Sequence, residues 1–315
     1  MNDSILLLGA GGFIGSRLTL HLQSIGSRVI AMGHALPDRN SPTIATMHGS
    51  VEDTVLLREL LRKSSAVVYL ASVTTPAVSA CEPGLEVTGN LLPLAKFLEV
   101  ALEFPSRKLI FISSAGAVYG DCANDVVEAM VLRPRSFYGA GKVAAEAMLH
   151  AFTLSSEWMT IVVRPTNVYG PGQLPTRGFA VIPTIFQCML EARSFEIWGD
   201  GSVVRDYLYV DDLAQLLGQV IQSSTTNGFS VYNAAAGCAV SIRELVQLCK
   251  QASGLPLEIN FRPARGIDVP RVVPNTDAVK KVYTWQATTS LLVGLDLTWG
   301  WLSQQSYIQN KTYRC

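Results

Sequence analysis

Ser4-Ile5-Leu6-Leu7-Leu8-Gly9-Ala10-Gly11-Gly12-Phe13-Ile14-Gly15 decides the fold. Ile5 to Leu8 is a continuous apolar run of strand length, and from Phe13 to Ile25 apolar residues recur at three-to-four spacing, as on a helix. A glycine turn between strand and helix is the context a dinucleotide-binding loop requires. Glycine lets the chain turn tightly and approach a pyrophosphate, whose charge meets the amides and dipole of the helix N-terminus. An ordinary glycine-rich turn would look the same but does not need this spacing. Gly9, Gly12, Phe13, Ile14 and Gly15 are therefore the first candidate cofactor contacts.

Outward from this turn the pattern repeats. Short apolar runs at 29–32, 66–70, 108–112 and 159–163 read as strands, and 54–62, 85–103 and 138–154 as helices. Strands this apolar, separated by helices, predict a parallel sheet covered on both faces: an α/β, Rossmann-type doubly wound domain over 1–165. After Arg164 the chain turns to Pro/Gly-rich turns between shorter elements, which predicts a smaller C-terminal α/β lobe over 166–315. Residues 209–232 read again as helix then strand, so a segment near 205–235 is expected to return to the first sheet.

Composition narrows the function. The 315 residues are 49% hydrophobic and 16% charged, which opposes disorder. Twenty-five Lys and Arg balance twenty-five Asp and Glu, leaving no global field for nucleic acid or an anionic membrane. The six cysteines (Cys81, Cys122, Cys188, Cys238, Cys249 and Cys315) lie far apart, with no metal-ligand spacing, so no metal is expected and a reducing compartment fits. No signal-like h-region or uninterrupted apolar span is present, and the expectation is a soluble cytoplasmic protein. His21, His34, His48 and His150 fall in no motif and are expected to be structural or exposed.

Tyr138 and Lys142 are four residues apart at the start of an Ala-rich helix, which puts phenol and ammonium on one face. A free phenol is a poor base at neutral pH, but a neighbouring cation and an oxidised nicotinamide ring both favour phenolate. Alone the pair would be a surface aromatic beside a solvated lysine. After a dinucleotide turn and after Ile112-Ser113-Ser114 at a strand end it points to proton transfer, with a serine hydroxyl bridging to the substrate oxygen. The acid that would grip the adenosine ribose at the end of the second strand is absent: the position is Gly33, and Arg39 farther on offers a partner for a 2′-phosphate or is a loop arginine.

Together these segments resemble the extended short-chain dehydrogenase/reductase family, in its NAD(P)-dependent nucleotide-sugar epimerase/dehydratase branch. The glycine turn is joined by Ser113-Ser114-Ala115-Gly116-Ala117-Val118-Tyr119-Gly120, by Tyr138 to Lys142, and by Arg164-Pro165-Thr166-Asn167-Val168-Tyr169-Gly170-Pro171-Gly172. Gly199-Asp200-Gly201 and Arg205-Asp206-Tyr207-Leu208-Tyr209-Val210-Asp211-Asp212 extend the match, which runs from about Ile5 to Leu302. The resemblance implies NAD as cofactor, with NADP open, and Val51, Leu70, Ala71 and Asn90 near it. It implies Asn167 at the sugar or its diphosphate, Arg205 and Arg265 at the two phosphates, Ser72 and Thr74 (with Gln173) near the sugar, and a homodimer through the helices at 85–103 and 138–154. Asp206, Asp211 and Asp212 are read as turn, cap and fold-internal pair.

Departures from the family pattern set the reaction. Ala115 stands where many members carry Ser or Thr, so the bridging hydroxyl is Ser114, Ser113 or absent, with Ser114 the choice. Ser50 replaces a frequent Asp at the adenine, leaving the Val51 backbone. Gly116 and Ala117 occupy the positions of a dehydratase's acidic pair, which argues against elimination of water. What survives is reversible oxidation at a carbinol, with C4 epimerisation of a UDP-hexose through a 4-keto intermediate as the expectation. An NADPH-dependent 4-keto reductase and a catalytically silent nucleotide-binding scaffold stay open as alternatives.

Overall fold

Leu6, Leu7 and Leu8 have no exposed surface, because β1 (Ser4–Leu8) lies inside a parallel seven-stranded sheet. The computed structural model describes residues 4–34, 36, 41–121, 126–175, 179–224, 228–264 and 269–312, of which 306–312 only as helix backbone. After β1 come α1 (Phe13–Ser24), β2 (Val29–Gly33), β3 (Ile44–His48), α2 (Thr54–Arg62), β4 (Ser64–Tyr69) and α3 (Pro76–Cys81). A π-helical turn at Glu86–Leu91 leads into α4 (Leu92–Ala101), followed by β5 (Lys108–Ile112), α5 (Ala115–Val118), α6 (Phe137–Leu154) and β6 (Met159–Pro165). The rest comprises β7 (Asn167–Tyr169), α7 (Val181–Leu190), β8 (Phe195–Trp198), β9 (Val204–Tyr209), α8 (Val210–Gln222), β10 (Phe229–Ala234) and β11 (Ala239–Ser241). It closes with α9 (Ile242–Ser253), β12 (Ile259–Arg262), β13 (Arg271–Val272), α10 (Asp277–Tyr283) and α11 (Leu291–Thr312).

The main sheet runs β10-β6-β5-β4-β1-β2-β3, every pair parallel. Alternation along each strand fills two cores. Leu7, Val68, Ile110 and Ile161 face α1 and α8, while Leu6, Val67, Leu109 and Val162 face α2, α4 and α6. Strand order reverses between β1 and β4, which makes the carboxyl edge there the ligand crevice of such a sheet. A smaller assembly follows: β9 pairs in parallel with β7 and β13 and antiparallel with β11, and β12 pairs with β8.

The sequence expectation did not include the short helices α3 and α5, and two further elements differ from it. The single helix over 85–103 is divided, because Pro93 has no amide proton to give the carbonyl four residues back and its ring crowds that carbonyl, so the preceding turn widens to π. The strand β3 is absent from the sequence reading. It is an edge strand on which only Ile44 is buried, so it carries no continuous apolar run.

The acidic residues at 206–212 are spent on the fold. Asp206, fully buried, accepts from Thr166 Oγ1 at 2.7 Å and from the amides of Ala236 and Cys238 at 2.9 and 3.0 Å. Asp211 pairs with Arg17, and Asp212 accepts from the amides of Thr288 and Thr289. Among the described residues no helix is long and apolar enough to cross a membrane.

Candidate active site

The glycine turn is packed from behind by the chain leaving β4. Leu70 N donates to Leu8 O at 2.8 Å, and a Cβ on Gly9, whose φ is +92°, would lie 2.7 Å from Ala71 N. Only glycine fits there. At the head of α1, Gly12 is the cap residue without a side-chain hydrogen bond, and the first turn carries no acid. Unsatisfied amides facing a glycine-lined cradle fit a pyrophosphate, so the residues present fit a dinucleotide. Val51 is buried among the core residues beneath α2.

Asn90 binds two segments together. Its Oδ1 accepts from Val73 N at 3.0 Å, and its Nδ2 donates to Thr74 Oγ1 at 2.7 Å and Glu86 Oε2 at 2.9 Å. The loop after β4 is thereby tied to the π-helical turn, with Thr74 buried and Ser72 exposed. Gln173 is turned inward, its Nε2 donating to Val168 O at 3.0 Å.

Ser136 caps α6 by accepting from Gly139 N, so Tyr138 and Lys142 occupy the first turns of a well-started helix. Lys142 Nζ donates to Ile112 O at 3.0 Å and lies 5.7 Å from the centre of the Tyr138 ring. That bond fastens α6 to the end of β5, two residues before Ser114. Burial pushes the Lys142 ammonium down to about 8, against the opposing carboxylates of Glu86 and Glu146. Burial, and next the Glu86 charge, push the Tyr138 phenol up to about 12. Within the protein alone the phenol is thus held protonated, opposite to the direction expected from its lysine neighbour.

The two serines are differently placed. Ser113 Oγ donates to Glu146 Oε1 at 2.5 Å, and Glu146 pairs with Arg164 in a bridge whose side chains are 5% and 4% exposed. Arg164 Nη1 donates to Tyr119 Oη at 2.8 Å, and Tyr119 Oη donates to Asn233 Oδ1 at 2.7 Å. Ser113 therefore belongs to a buried network joining β5, α6, β6 and β10. Ser114 is half-buried, and its hydroxyl has no hydrogen-bond partner among the described residues. Gly116 and Ala117 bring no acid to the short α5 that follows.

Asn167 and Arg205 stand on the second sheet. Asn167 Nδ2 donates to Asp206 O at 2.9 Å, and Arg205 Nη1 donates to Val204 O at 2.8 Å. Arg39, Arg265, Cys122 and Cys315 lie outside the described residues. The sequence reading did not single out Glu86, Glu146 or Arg164 as site neighbours. For the two glutamates a signal existed: each is a lone acid in an apolar helical stretch.

The sequence profile of the NAD dependent epimerase/dehydratase family matches residues 5–235. The UDP-glucose 4-epimerase of Mycolicibacterium smegmatis is 31% identical over 305 residues, covering 93% of this chain and 96% of that protein. The crystal structure of UDP-glucose 4-epimerase with UDP-glucose from Thermotoga maritima superposes with a TM-score of 0.88 at 28% identity, covering 96% of this chain and 99% of that one. For the Thermus thermophilus UDP-glucose 4-epimerase complex with NAD the TM-score is 0.86 at 25% identity, with 95% and 99% covered. With the glycine turn at the β1–β4 switch and a tyrosine and lysine one helical turn apart on α6, the chain belongs to the NAD-dependent epimerase/dehydratase family, of the extended short-chain dehydrogenase/reductase type.

Proposed function

We propose that the protein is an NAD-dependent epimerase that inverts C4 of a UDP-hexose through a 4-keto sugar. The observation that carries this reading is Tyr138 beside Lys142 at the carboxyl edge of the sheet, with no acid at Gly116 or Ala117 to drive elimination. UDP-glucose 4-epimerases among its relatives support the substrate class. The Gly12 amide donates to Gly9 O at 3.1 Å and so shapes the turn, while the backbone amides of Phe13 and Ile14 would hold the pyrophosphate of NAD in the cradle left by Gly9, Gly12 and Gly15. Val51 would flank the adenine, Leu70, Ala71 and Asn90 the nicotinamide side, and Lys142 the ribose. When bound, NAD supplies reversible hydride acceptance and, oxidised, a positive ring charge that favours phenolate.

Tyr138 Oη takes the proton of the C4 hydroxyl and later returns it to the same oxygen; inversion follows because the 4-keto sugar rotates in the pocket before hydrogen returns to C4 on its opposite face. Ser114 Oγ, which has no hydrogen-bond partner among the described residues, hydrogen-bonds the same oxygen. Lys142 stabilises the phenolate, and its bond to Ile112 O fixes its height above the sheet. Asn167 meets the sugar or its diphosphate, Arg205 and Arg265 hold the two phosphates, where planar cationic forks suit anionic oxygens, and Ser72 and Thr74 border the sugar. We assign the cofactor half to 1–165 with 205–235, supported by the pairing of β10 with β6, and the nucleotide-sugar half to the rest of 166–315. We also propose a cytoplasmic homodimer. Exposed Leu92, Leu102 and Leu154 on or beside α4 and α6 support the dimer, and the free Cys81, Cys188, Cys238 and Cys249 support the compartment.

The test is incubation with UDP-glucose and UDP-N-acetylglucosamine, read by NMR. Turnover with recycled NAD, abolished in folded Tyr138→Phe, is expected. Stoichiometric consumption of NADPH would instead make the protein a reductase, and silence on every sugar with tight NAD binding would make it a scaffold.

A further inference from the structure

Glu86 is a carboxylate where the fold has little use for one. It is 5% exposed, inside the π-helical turn, and its Oε1 is buried without a hydrogen-bond partner among the described residues. Its Oε2 is held by Asn90 Nδ2 at 2.9 Å. That oxygen also lies against α6: a Cβ on Gly141 would fall 2.5 Å from it, so a side chain there would push the carboxylate away. Gly141 immediately precedes Lys142. Glu86, Asn90, Lys142, Tyr69 and Phe111 line one cavity of about 20 Å³. Among the described residues Glu86 has no ion pair, and Lys142 is the one cation lining that cavity. Leaving a buried carboxylate this poorly satisfied costs several kcal/mol unless a nearby charge offsets it.

The geometry points to Glu86 as a positioning residue of the proposed site: its carboxylate is the buried counter-charge that keeps the Lys142 ammonium seated beside Tyr138, and Asn90 is the clasp that holds it there. This rests on the roles proposed for Tyr138 and Lys142. The other titratable groups near Glu86 are accounted for. On α6, Glu146 is committed to Arg164 of β6. On β4, burial pushes the Tyr69 phenol up, so it stays neutral. On α4, Lys96 pairs with Glu52, and α3 offers only Cys81, followed by Glu82, both exposed. Glu86 therefore acts on two groups, and with one sign: a negative charge raises both the lysine and the phenol. Removing it must move both down.

The experiment measures Lys142 directly. Purified protein is acetylated competitively with trace acetic anhydride from about pH 6 to about pH 10, and the Lys142 peptide is read by mass spectrometry. In Glu86→Gln, with a native melting curve, the midpoint is expected to fall from about 8 by about one unit. In parallel, both limbs of the turnover profile should move to lower pH together, with KM changed less than kcat. Glu86→Asp keeps the charge and should hold the midpoint near that of the wild type. Glu86→Met, apolar and of similar volume, replaces Glu86→Gln if the latter fails to fold. An unmoved or raised midpoint in a folded variant, or limbs moving in opposite directions, overturns the proposal. Failure of both variants to fold overturns it too, since Glu86 would then hold the fold rather than the lysine. Because labelling needs no sugar turnover, a shifted midpoint in a protein inactive on every sugar would support this inference while sinking the proposed reaction.

Discussion

Replacing Ser113 and Ser114 separately by alanine should divide stability from turnover. Ser113 is 4% exposed and donates to the ionised partner of Arg164 at 2.5 Å. A buried hydrogen bond to a charged group contributes about 1.5–3 kcal/mol. Unfolding entropy near 2.1 cal/mol/K per residue, over 315 residues, comes to roughly 0.66 kcal/mol/K, so Ser113→Ala should melt roughly 2–5 °C lower. Turnover should stay within about twofold, since that hydroxyl is committed to Glu146. Ser114 is half-buried and makes no hydrogen bond among the described residues, so its removal should cost under about 0.5 kcal/mol. Its loss should lower kcat roughly 10²-fold if it steadies the reacting oxygen. Melting curves by circular dichroism and initial rates on UDP-glucose decide the matter. Should Ser113→Ala lose turnover while melting like the wild type, or Ser114→Ala keep full kcat, the assignment of the two hydroxyls is wrong.

Three further outcomes follow from the same structure. Glu146→Ala leaves the Arg164 side chain, 4% exposed, without its carboxylate and should cost about 3–5 kcal/mol in urea denaturation. The double variant Glu146→Ala with Arg164→Met should recover most of this; a double variant as weak as the single would refute the pairing. Gly9→Ala forces a Cβ to 2.7 Å from Ala71 N at φ +92°, so NAD binding measured by calorimetry should be lost; unchanged affinity would mean the turn does not approach the ligand. Burial lowers the His21 pKa below its ordinary 6.5, so its contribution is complete above about pH 6.5 and is lost as pH falls through the lower folded value. The melting temperature should fall between about pH 7 and about pH 5, and less steeply in His21→Gln; equal slopes would clear His21.

How far such features can be read from sequence depends on whether the controlling interaction is local. The β1 turn was legible because its strand is buried on both faces and its glycines serve a turn within one short segment. The same holds for β5 and β6, and for the capped start of α6. The strand β3 was not, because at a sheet edge with one buried residue its order comes from pairing with β2, which no local pattern announces. The π-helical turn was half legible: Pro93 stands in plain view, but whether a proline ends a helix or widens the turn before it depends on what packs behind it.

Charges in the interior are the harder case, and they matter most to the site. Arg164 opens a recognisable motif, yet its role is fixed by Glu146, 18 residues earlier on another element, and Ser113 is silenced by that same carboxylate across 33 residues. Spacing along the chain carries no trace of either bond. What it does carry is incongruity. Glu146 interrupts Ala144-Ala145-Glu146-Ala147-Met148-Leu149, and Glu86 sits between Leu85 and Val87. An acid at a core-facing position is unstable unless something answers it, so each such residue predicts an unseen cation or donor set. For Glu146 the answer is Arg164, and that closes the account structurally. For Glu86 no ion pair forms among the described residues, and the cation lining its cavity is Lys142, so the electrostatic demand is met by the lysine on which the proposed chemistry depends.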